Sequence, residues 1–274
     1  MSETQDQIET GAPAYAAPQS APAAQPEESA RMNAVQRFFG TIFSPGETFQ
    51  DINRKPTWLV PLLICIVSSV AFMWFMFSHF DEGWHRFMQK AMADRAAQSG
   101  GPAPSGQDFE KIYTITRWGQ TGGAGIFATI ALFASAGVLA LGMMLMQAKA
   151  TFKKILSVVT WSWAVTGVLQ LIVVIASVFV RGSDAQENFN PRDLGSMSLT
   201  NLAAFLPDDM SPFLKGIAAT FDVFSIWFLI LLMIGLATVS GLKKANPSKM
   251  APMVLGLWFL TVLIRAAMAA AFAR

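Results

Sequence analysis

Five long, mostly apolar stretches constrain the fold of this chain more than any other feature of its sequence. They comprise residues 58–77, 121–146, 155–180, 223–242 and 250–273, and the fifth is interrupted by Arg265. A helix needs about 20 predominantly apolar residues to span the hydrocarbon core of a bilayer, and every stretch is that long. The sequence therefore predicts an all-α, polytopic membrane protein built around a five-helix transmembrane bundle.

Composition agrees with a membrane protein and excludes several other classes. Hydrophobic residues make up 53% of the chain and charged residues 14%, whereas an ordinary soluble domain has about 25% charged residues. The net charge of +2 is too small to indicate a nucleic-acid partner. Cys65 is the single cysteine, so no intrachain disulfide is expected. The polar first thirty residues do not resemble a cleavable signal peptide.

Two segments precede the first apolar stretch. Residues 1–30 are rich in Ala, Pro, Gln and Glu and nearly free of large apolar side chains, which predicts a disordered tail. Within residues 31–57, the first apolar side chains at helical spacing are Val35, Phe38, Phe39, Ile42 and Phe43. They predict a short amphipathic helix that lies in the cytoplasmic membrane interface or packs against the floor of the bundle.

A second short helix is predicted directly after the first. Ser44 would be its N-cap, Pro45 would occupy the first helical position, and Glu47 would complete a capping box. Its apolar positions are Phe49 and Ile52, and its polar positions are Asp51, Arg54 and Lys55. This helix too is predicted at the cytoplasmic interface or on the bundle floor.

The distribution of lysines predicts the orientation of the bundle. The two short connections, residues 147–154 and 243–249, hold six lysines and no acidic residue. The two long connections, residues 78–120 and 181–222, hold eight basic and eleven acidic residues. Because Lys and Arg accumulate in short cytoplasmic loops, the sequence predicts a cytoplasmic N-terminus and an exported C-terminus.

Two charged residues are predicted at membrane depth. Asp222 begins the fourth stretch on the exported side, and Arg265 lies fifteen residues beyond Met250, about 22 Å from the cytoplasmic end at 1.5 Å per residue. An arginine side chain can extend about 6 Å toward the interface, so the two residues are predicted to be neighbours or to share a water molecule. A structural pair is the simpler interpretation, and an ion or substrate pathway is the alternative.

Small residues recur along the second apolar stretch. They include Gly122, Gly125, Ala128, Gly137 and Gly142. Small side chains let helix backbones approach closely in lipid, where apolar burial does not drive association. The pattern predicts either a tightly packed central helix or a dimer interface.

The densest group of possible metal ligands is His79, Asp81, Glu82 and His85. The histidines are six residues apart and do not share a helix face as an i, i+4 pair does. Solvated loop polarity with a pH-sensitive character is therefore favoured over a zinc site. The sequence has no phosphate-binding glycine loop and no Gly-x-Ser-x-Gly elbow, the motifs of two common enzyme classes. We predict no catalytic residue, no metal and no cofactor, and we do not expect an enzyme.

Several short motifs follow one another in an order found in one family of membrane proteins. They are residues 43–49 (Phe-Ser-Pro-Gly-Glu-Thr-Phe), 53–58 (Asn-Arg-Lys-Pro-Thr-Trp), 150–156 (Ala-Thr-Phe-Lys-Lys-Ile-Leu), 221–227 (Phe-Asp-Val-Phe-Ser-Ile-Trp) and 234–236 (Ile-Gly-Leu). From about residue 38 to residue 267, the chain resembles the bacterial branch of the Yip1-domain family.

The resemblance implies a five-helix Yip1-like domain, residues 58–274, in the bacterial inner membrane with its N-terminus in the cytosol. Eukaryotic members of the family resemble membrane-traffic adapters that associate with small GTPases and with one another. Their Asp-Leu-Tyr-Gly-Pro motif is missing here, which argues against a small-GTPase partner. The predicted function is a non-enzymatic membrane scaffold or adapter that organises lipids or partner proteins, alone or as a homo-oligomer. The alternative is a small-solute or ion transporter that uses Asp222 and Arg265.

Overall fold

The computed structural model describes residues 31–182, 186–187, 189–191, 194, 197–207 and 209–271. Its described α-helices are α1 (Ala34–Phe43), α2 (Pro45–Arg54), α3 (Leu59–His79), α4 (Asp81–Ser99), α5 (Gln107–Leu145), α6 (Phe152–Arg181), α7 (Pro212–Ala218), α8 (Val223–Val239) and α9 (Pro247–Ala271). A 3-10 turn, Leu202–Phe205, lies between α6 and α7. The segment predicted to be a disordered tail, residues 1–30, lies outside the described residues.

The lengths of the apolar helices agree with a membrane bundle. Among the described helices α3, α5, α6 and α9 are long and apolar enough to cross a membrane. The strongly apolar α8 has 17 residues and is about 25 Å long, compared with about 30 Å of hydrocarbon. It ends before the predicted limit because Gly241 turns the chain with a left-handed φ of 66°. The predicted all-α, polytopic membrane bundle is confirmed.

The central helix is α6, which packs against α1, α2, α3, α5 and α8. All residues from Ile155 to Ser162 are buried, so this part of the helix is covered by neighbouring residues on every side. In contrast, α5 buries one stripe between Thr121 and Met143, at intervals of three and four residues, and exposes its opposite face. Of the two roles predicted for the small residues of α5, the central helix is wrong because only one face of α5 is buried, and the dimer interface stays a prediction.

The apolar core is divided between the two ends of the bundle. A larger cluster around Phe49 and Trp161 joins α2, α3, α5, α6, α8 and α9. A smaller cluster at the end of α3 contains Phe77 stacked on Trp84, with ring centroids 4.4 Å apart. This cluster also buries Phe109, which explains why α5 begins well before the predicted apolar stretch.

Candidate functional site

The corner between α1 and α2 is tight. Gly40 lies so close to Thr48 that an added Cβ would collide with the threonine hydroxyl. Ser44 both ends α1 and begins α2. Its N–H donates to the carbonyl of Gly40 at 2.7 Å, and its carbonyl accepts a hydrogen bond from the Thr48 hydroxyl at 3.0 Å. The two helices are thereby fixed against each other.

The predicted capping box at the start of α2 is not formed. Ser44 occupies the N-cap position and Pro45 the first helical position, but the Ser44 side chain makes no capping hydrogen bond with the backbone near Glu47. The turn that ends α1 holds Ser44 at φ −142°, ψ 58°, which differs from the extended backbone that suits a capping residue. A capping box forms instead at the start of α1, between Asn33 and Gln36, with both hydrogen bonds 2.9 Å long.

A buried ion pair joins α1 to α2. Arg37 and Asp51 are each 2% exposed. The Nε and Nη2 atoms of Arg37 lie 2.9 and 2.8 Å from Oδ2 of Asp51. The other carboxylate oxygen accepts a hydrogen bond from the backbone N–H of Arg31 at 2.7 Å. Both oxygens are therefore bonded within the protein, as a stable buried pair requires.

The same guanidinium reaches the start of α3 and, through it, the central helix. Nη1 of Arg37 donates to the Thr57 hydroxyl at 2.5 Å and to the Lys55 carbonyl at 3.1 Å. The indole N–H of Trp161, on α6, donates to the Thr57 carbonyl at 3.0 Å. Arg37, Asp51, Thr57 and Trp161 thus form one buried network, which ties the two N-terminal helices to the bundle.

The prediction that Asp51 belongs to the polar side of α2 is wrong. Thr48, Phe49, Asp51 and Ile52 are all buried, which is the spacing of one helix face. The sequence contained a usable signal, because this face combines large apolar residues with a single acid. A buried carboxylate needs a cationic or hydrogen-bonding partner, and Arg37 on the preceding short helix was available as one.

The surroundings of Asp51 predict an acid-dependent stability. Burial alone would raise the pKa of its carboxyl, but hydrogen bonds from the Arg31 N–H and the Arg37 guanidinium outweigh burial and hold this pKa below its usual range. A carboxyl whose pKa is lower in the folded state stabilises the protein above its unfolded-state pKa. That contribution is lost as the pH falls through the folded-state pKa.

We therefore expect the free energy of unfolding in detergent micelles to decrease as the pH is lowered below about 4, the usual pKa of an aspartate. The Asp51→Asn variant should be less stable than the wild type at neutral pH and should lose less stability on acidification. Denaturant titrations between about pH 3 and about pH 7 measure both curves. Parallel pH profiles for the two proteins would show that Asp51 is not the group responsible.

Phe49 anchors α2 in the interior of the bundle. Its side chain is fully buried and lies against Gly235 of α8, where an added Cβ would be 3.1 Å from the Phe49 ring. The same Cβ would collide with Val158 of α6. Three helices therefore meet at Gly235, and the missing side chain is what permits their close approach.

The first helix turns its apolar side outward. Arg37 and Thr41 are buried, whereas Val35, Phe39 and Phe43 are 65%, 54% and 78% exposed. These three residues follow one another at four-residue intervals and lie on one face. An amphipathic helix on a soluble domain buries its apolar face, so α1 has the arrangement expected of a helix that faces lipid or an apolar partner.

The two lysine-bearing connections lie together at one end of the bundle. The N–H of Lys149 donates to the carbonyl of Ser240 at 2.8 Å, and Nδ2 of Asn53 lies 3.5 Å from the carbonyl of Thr238. We call this region the lysine-rich end. It comprises residues 146–154 and 240–249 together with α1 and α2. Exposed lysines in its two connections are Lys149, Lys153, Lys243, Lys244 and Lys249.

Asp222 and Arg265, predicted to be neighbours or to share a water molecule, make no direct contact with each other among the described hydrogen bonds and ion pairs. Asp222 is 2% exposed, and its carboxylate oxygens accept hydrogen bonds from the N–H of Phe224 at 2.8 Å and the hydroxyl of Thr200 at 2.9 Å. Arg265 has an exposed side chain. The Asp222 carboxylate is already used to cap α8 and to hold the preceding connection.

This geometry predicts that Asp222 acts as a helix cap. Asp222→Ala should lower the free energy of unfolding by about 0.5–2 kcal/mol, the usual cost of removing a cap. Asp222→Asn retains an oxygen acceptor for the Phe224 N–H and should be closer to the wild type. Thermal denaturation followed by circular dichroism gives both values. Equal losses in the two variants would indicate that the negative charge matters more than the cap.

The small residues of α5 separate into two groups. An added Cβ on Gly125 would lie 3.0 Å from Ile66 of α3, and one on Gly142 would collide with Met253 of α9. Ala128 is buried on the same stripe. Gly122 and Gly137 have open space where a Cβ would be. The first group therefore packs within the described bundle, whereas Gly122 and Gly137 do not.

The polar residues at the end of α3 and the start of α4 bond to different partners. His79 lies against aromatic rings of α3 and α6, and Nε2 of His85 lies 2.8 Å from the Glu110 carboxylate. Asp81 accepts a hydrogen bond from the Tyr113 hydroxyl at 2.7 Å. Within the described ranges, no group of three or more His, Cys, Asp or Glu residues is arranged to hold a metal ion.

The sequence that builds this bundle matches a known family model. The model of the Yip1 domain matches residues 39–267. The chain belongs to the Yip1-domain family. The match includes Asp51, Thr57 and Trp161 of the buried network, whereas Arg37 lies two residues before it. The family predicted from the short motifs is confirmed.

Comparison with individual proteins is consistent with this family. The Yip1-domain protein is 27% identical over 206 residues to "Membrane protein YknW" of Bacillus subtilis (strain 168). The aligned region covers 75% of this chain and 79% of that protein. No solved structure matches the chain significantly.

Proposed function

We propose that this Yip1-domain protein is a non-enzymatic scaffold or adapter of the bacterial inner membrane, with a cytoplasmic N-terminus and an exported C-terminus. It organises partner proteins or lipids at its lysine-rich end, as a single chain or a homo-oligomer. The observation that carries the proposal is the position of α1, which the buried network holds firmly while Val35, Phe39 and Phe43 are exposed. A contiguous exposed apolar surface of this kind is typical of an interaction site.

Transport, the alternative, has less support from the geometry. The proposed pathway needs Asp222 and Arg265 to face each other or a shared solute. Asp222 is instead bonded to the end of α8 and to Thr200, and the Arg265 side chain is exposed. These contacts favour a structural role for Asp222.

Crosslinking of the full-length protein in native membranes tests the scaffold proposal. We expect the wild type to crosslink reproducibly to itself or to specific membrane proteins, and the variant V35A/F39A/F43A to lose these products. The matched control is I126A/F127A/I130A, which changes residues of α5 that are 66%, 73% and 62% exposed. This control should retain the crosslinked products. If the wild type gives no self-association and no specific partner, its role as an adapter for partner proteins is wrong. It is equally wrong if the two triple variants behave alike.

A further inference from the structure

We propose that the lysine-rich end binds the headgroups of anionic phospholipids, with Val35, Phe39 and Phe43 inserted among the adjoining acyl chains. This inference rests on the proposed function and names the lipid class that the scaffold engages. Its occupant is the bilayer itself, in the leaflet next to α1, and the membrane proteins expected in the crosslinking experiment are partners that approach α1 within that leaflet.

The polarity of α1 is inverted, with its charged residue inside and its apolar face exposed. A helix can lie in a bilayer interface with its apolar face about 5–10 Å into the headgroup and acyl boundary. A charge on the lipid side would oppose this insertion. In α1 the charged Arg37 is turned inward and bonded to Asp51, Thr57 and Lys55. The buried network thus removes the one cost that would keep this helix out of the membrane.

Positive charge lies at the same end of the bundle as the exposed apolar face of α1 (Val35, Phe39 and Phe43). The exposed lysines of this end are Lys149, Lys153, Lys243, Lys244 and Lys249, and the exposed Lys55 directly follows α2. Its acidic residues are Glu47 and Asp51, and Asp51 is neutralised by Arg37. The surface is therefore strongly cationic, and each lysine near an anionic membrane strengthens binding by about fivefold.

Cations and exposed apolar side chains lie close together along the chain at this end of the bundle. Lys153 directly follows Phe152, which is 45% exposed, and Lys55 precedes Leu59, which is 57% exposed, by four residues. Apolar side chains and cations this close together match the boundary between acyl chains and headgroup phosphates. A soluble acidic partner would satisfy the lysines but would leave the apolar residues uncovered.

A fluorescent probe at position 39, on the exposed apolar face of α1, reports which lipid surrounds this face. The full-length Phe39→Cys variant is labelled with nitrobenzoxadiazole, and the wild type is the labelling blank because Cys65 is fully buried. The protein is placed in phosphatidylcholine nanodiscs that contain a small fraction of nitroxide-labelled phosphatidylglycerol or, separately, nitroxide-labelled phosphatidylcholine. We expect quenching by phosphatidylglycerol to be about three times stronger, since lysines concentrate anionic lipid around them. The difference should shrink in about 1 M salt, where the screening length is about 3 Å.

Two charge variants show whether the lysines cause the preference. K153Q/K243Q should make quenching by phosphatidylglycerol and by phosphatidylcholine nearly equal. The control K90Q/K111Q changes two exposed lysines on α4 and α5 and should preserve the difference between the two lipids. Equal quenching by both lipids in the labelled protein overturns the headgroup preference, and no quenching by either overturns the insertion as well. Neither result changes the crosslinking products, so a failure here is distinguishable from failure of the scaffold proposal.

Discussion

Replacement of Arg37 by alanine is expected to lower the free energy of unfolding by about 3–5 kcal/mol, because it breaks a buried ion pair by removing one partner. Asp51, which is 2% exposed in the native protein, would keep the hydrogen bond from the Arg31 N–H but would lose its cation. The Thr57 hydroxyl would lose the guanidinium donor at the same time and keep only the longer contact with the Trp161 indole N–H at 3.4 Å. Unfolding of the purified protein in mixed micelles, followed by circular dichroism, measures the global effect. Hydrogen exchange of residues 31–57 measures local release of α1 and α2.

Two further variants separate loss of the pair from loss of the arginine. The double variant R37A/D51A should be more stable than R37A alone, since the uncompensated charge is removed with its partner. Arg86→Ala changes an exposed arginine on α4 and should stay within about 0.5 kcal/mol of the wild type. Unchanged unfolding and unchanged hydrogen exchange in R37A would mean that the buried network does not hold the N-terminal helices.

The membrane bundle could be predicted from the sequence because lipid imposes a simple rule on it. A spanning segment must satisfy its backbone internally and carry apolar side chains, so long apolar stretches become helices almost regardless of their neighbours. The predicted stretches at residues 58–77 and 155–180 correspond closely to α3 and α6. Their limits depend on local composition, which a sequence shows directly.

The contacts between helices could not be predicted in the same way. Asp222 was expected to pair with Arg265 from its height along the bundle, but height says nothing about rotation around a helix axis. Thr200, in a long connection, supplies the partner instead. Asp51 is misplaced for a related reason, since the ten residues of α2 show an apolar face but do not show that the acid beside it has a buried partner on another helix. In both cases the decisive partner is distant in sequence.

Gly235 provides the second large expected effect. An added methyl group in Gly235→Ala would collide with Val158 and press against the Phe49 ring, so α2, α6 and α8 could not keep their present distances. Overpacking of this kind costs about 1–3 kcal/mol. The same micelle titration measures the loss. Gly137→Ala is the matched control, because its Cβ would meet open space and the exchange should be neutral or stabilising by up to about 1 kcal/mol through helix propensity.

A double variant shows whether the collision itself is responsible. Val158→Ala removes the atom that an alanine at 235 would strike, at the cost of a cavity in the core when it is made alone. If the steric account is correct, V158A/G235A should lose less stability than the sum of the two single variants, by at least about 0.5 kcal/mol. Strictly additive losses of stability would show that Gly235 is needed for its backbone conformation and not for the space that a Cβ would fill. The contact of α2 with α8 would then depend on Phe49 and the buried network alone.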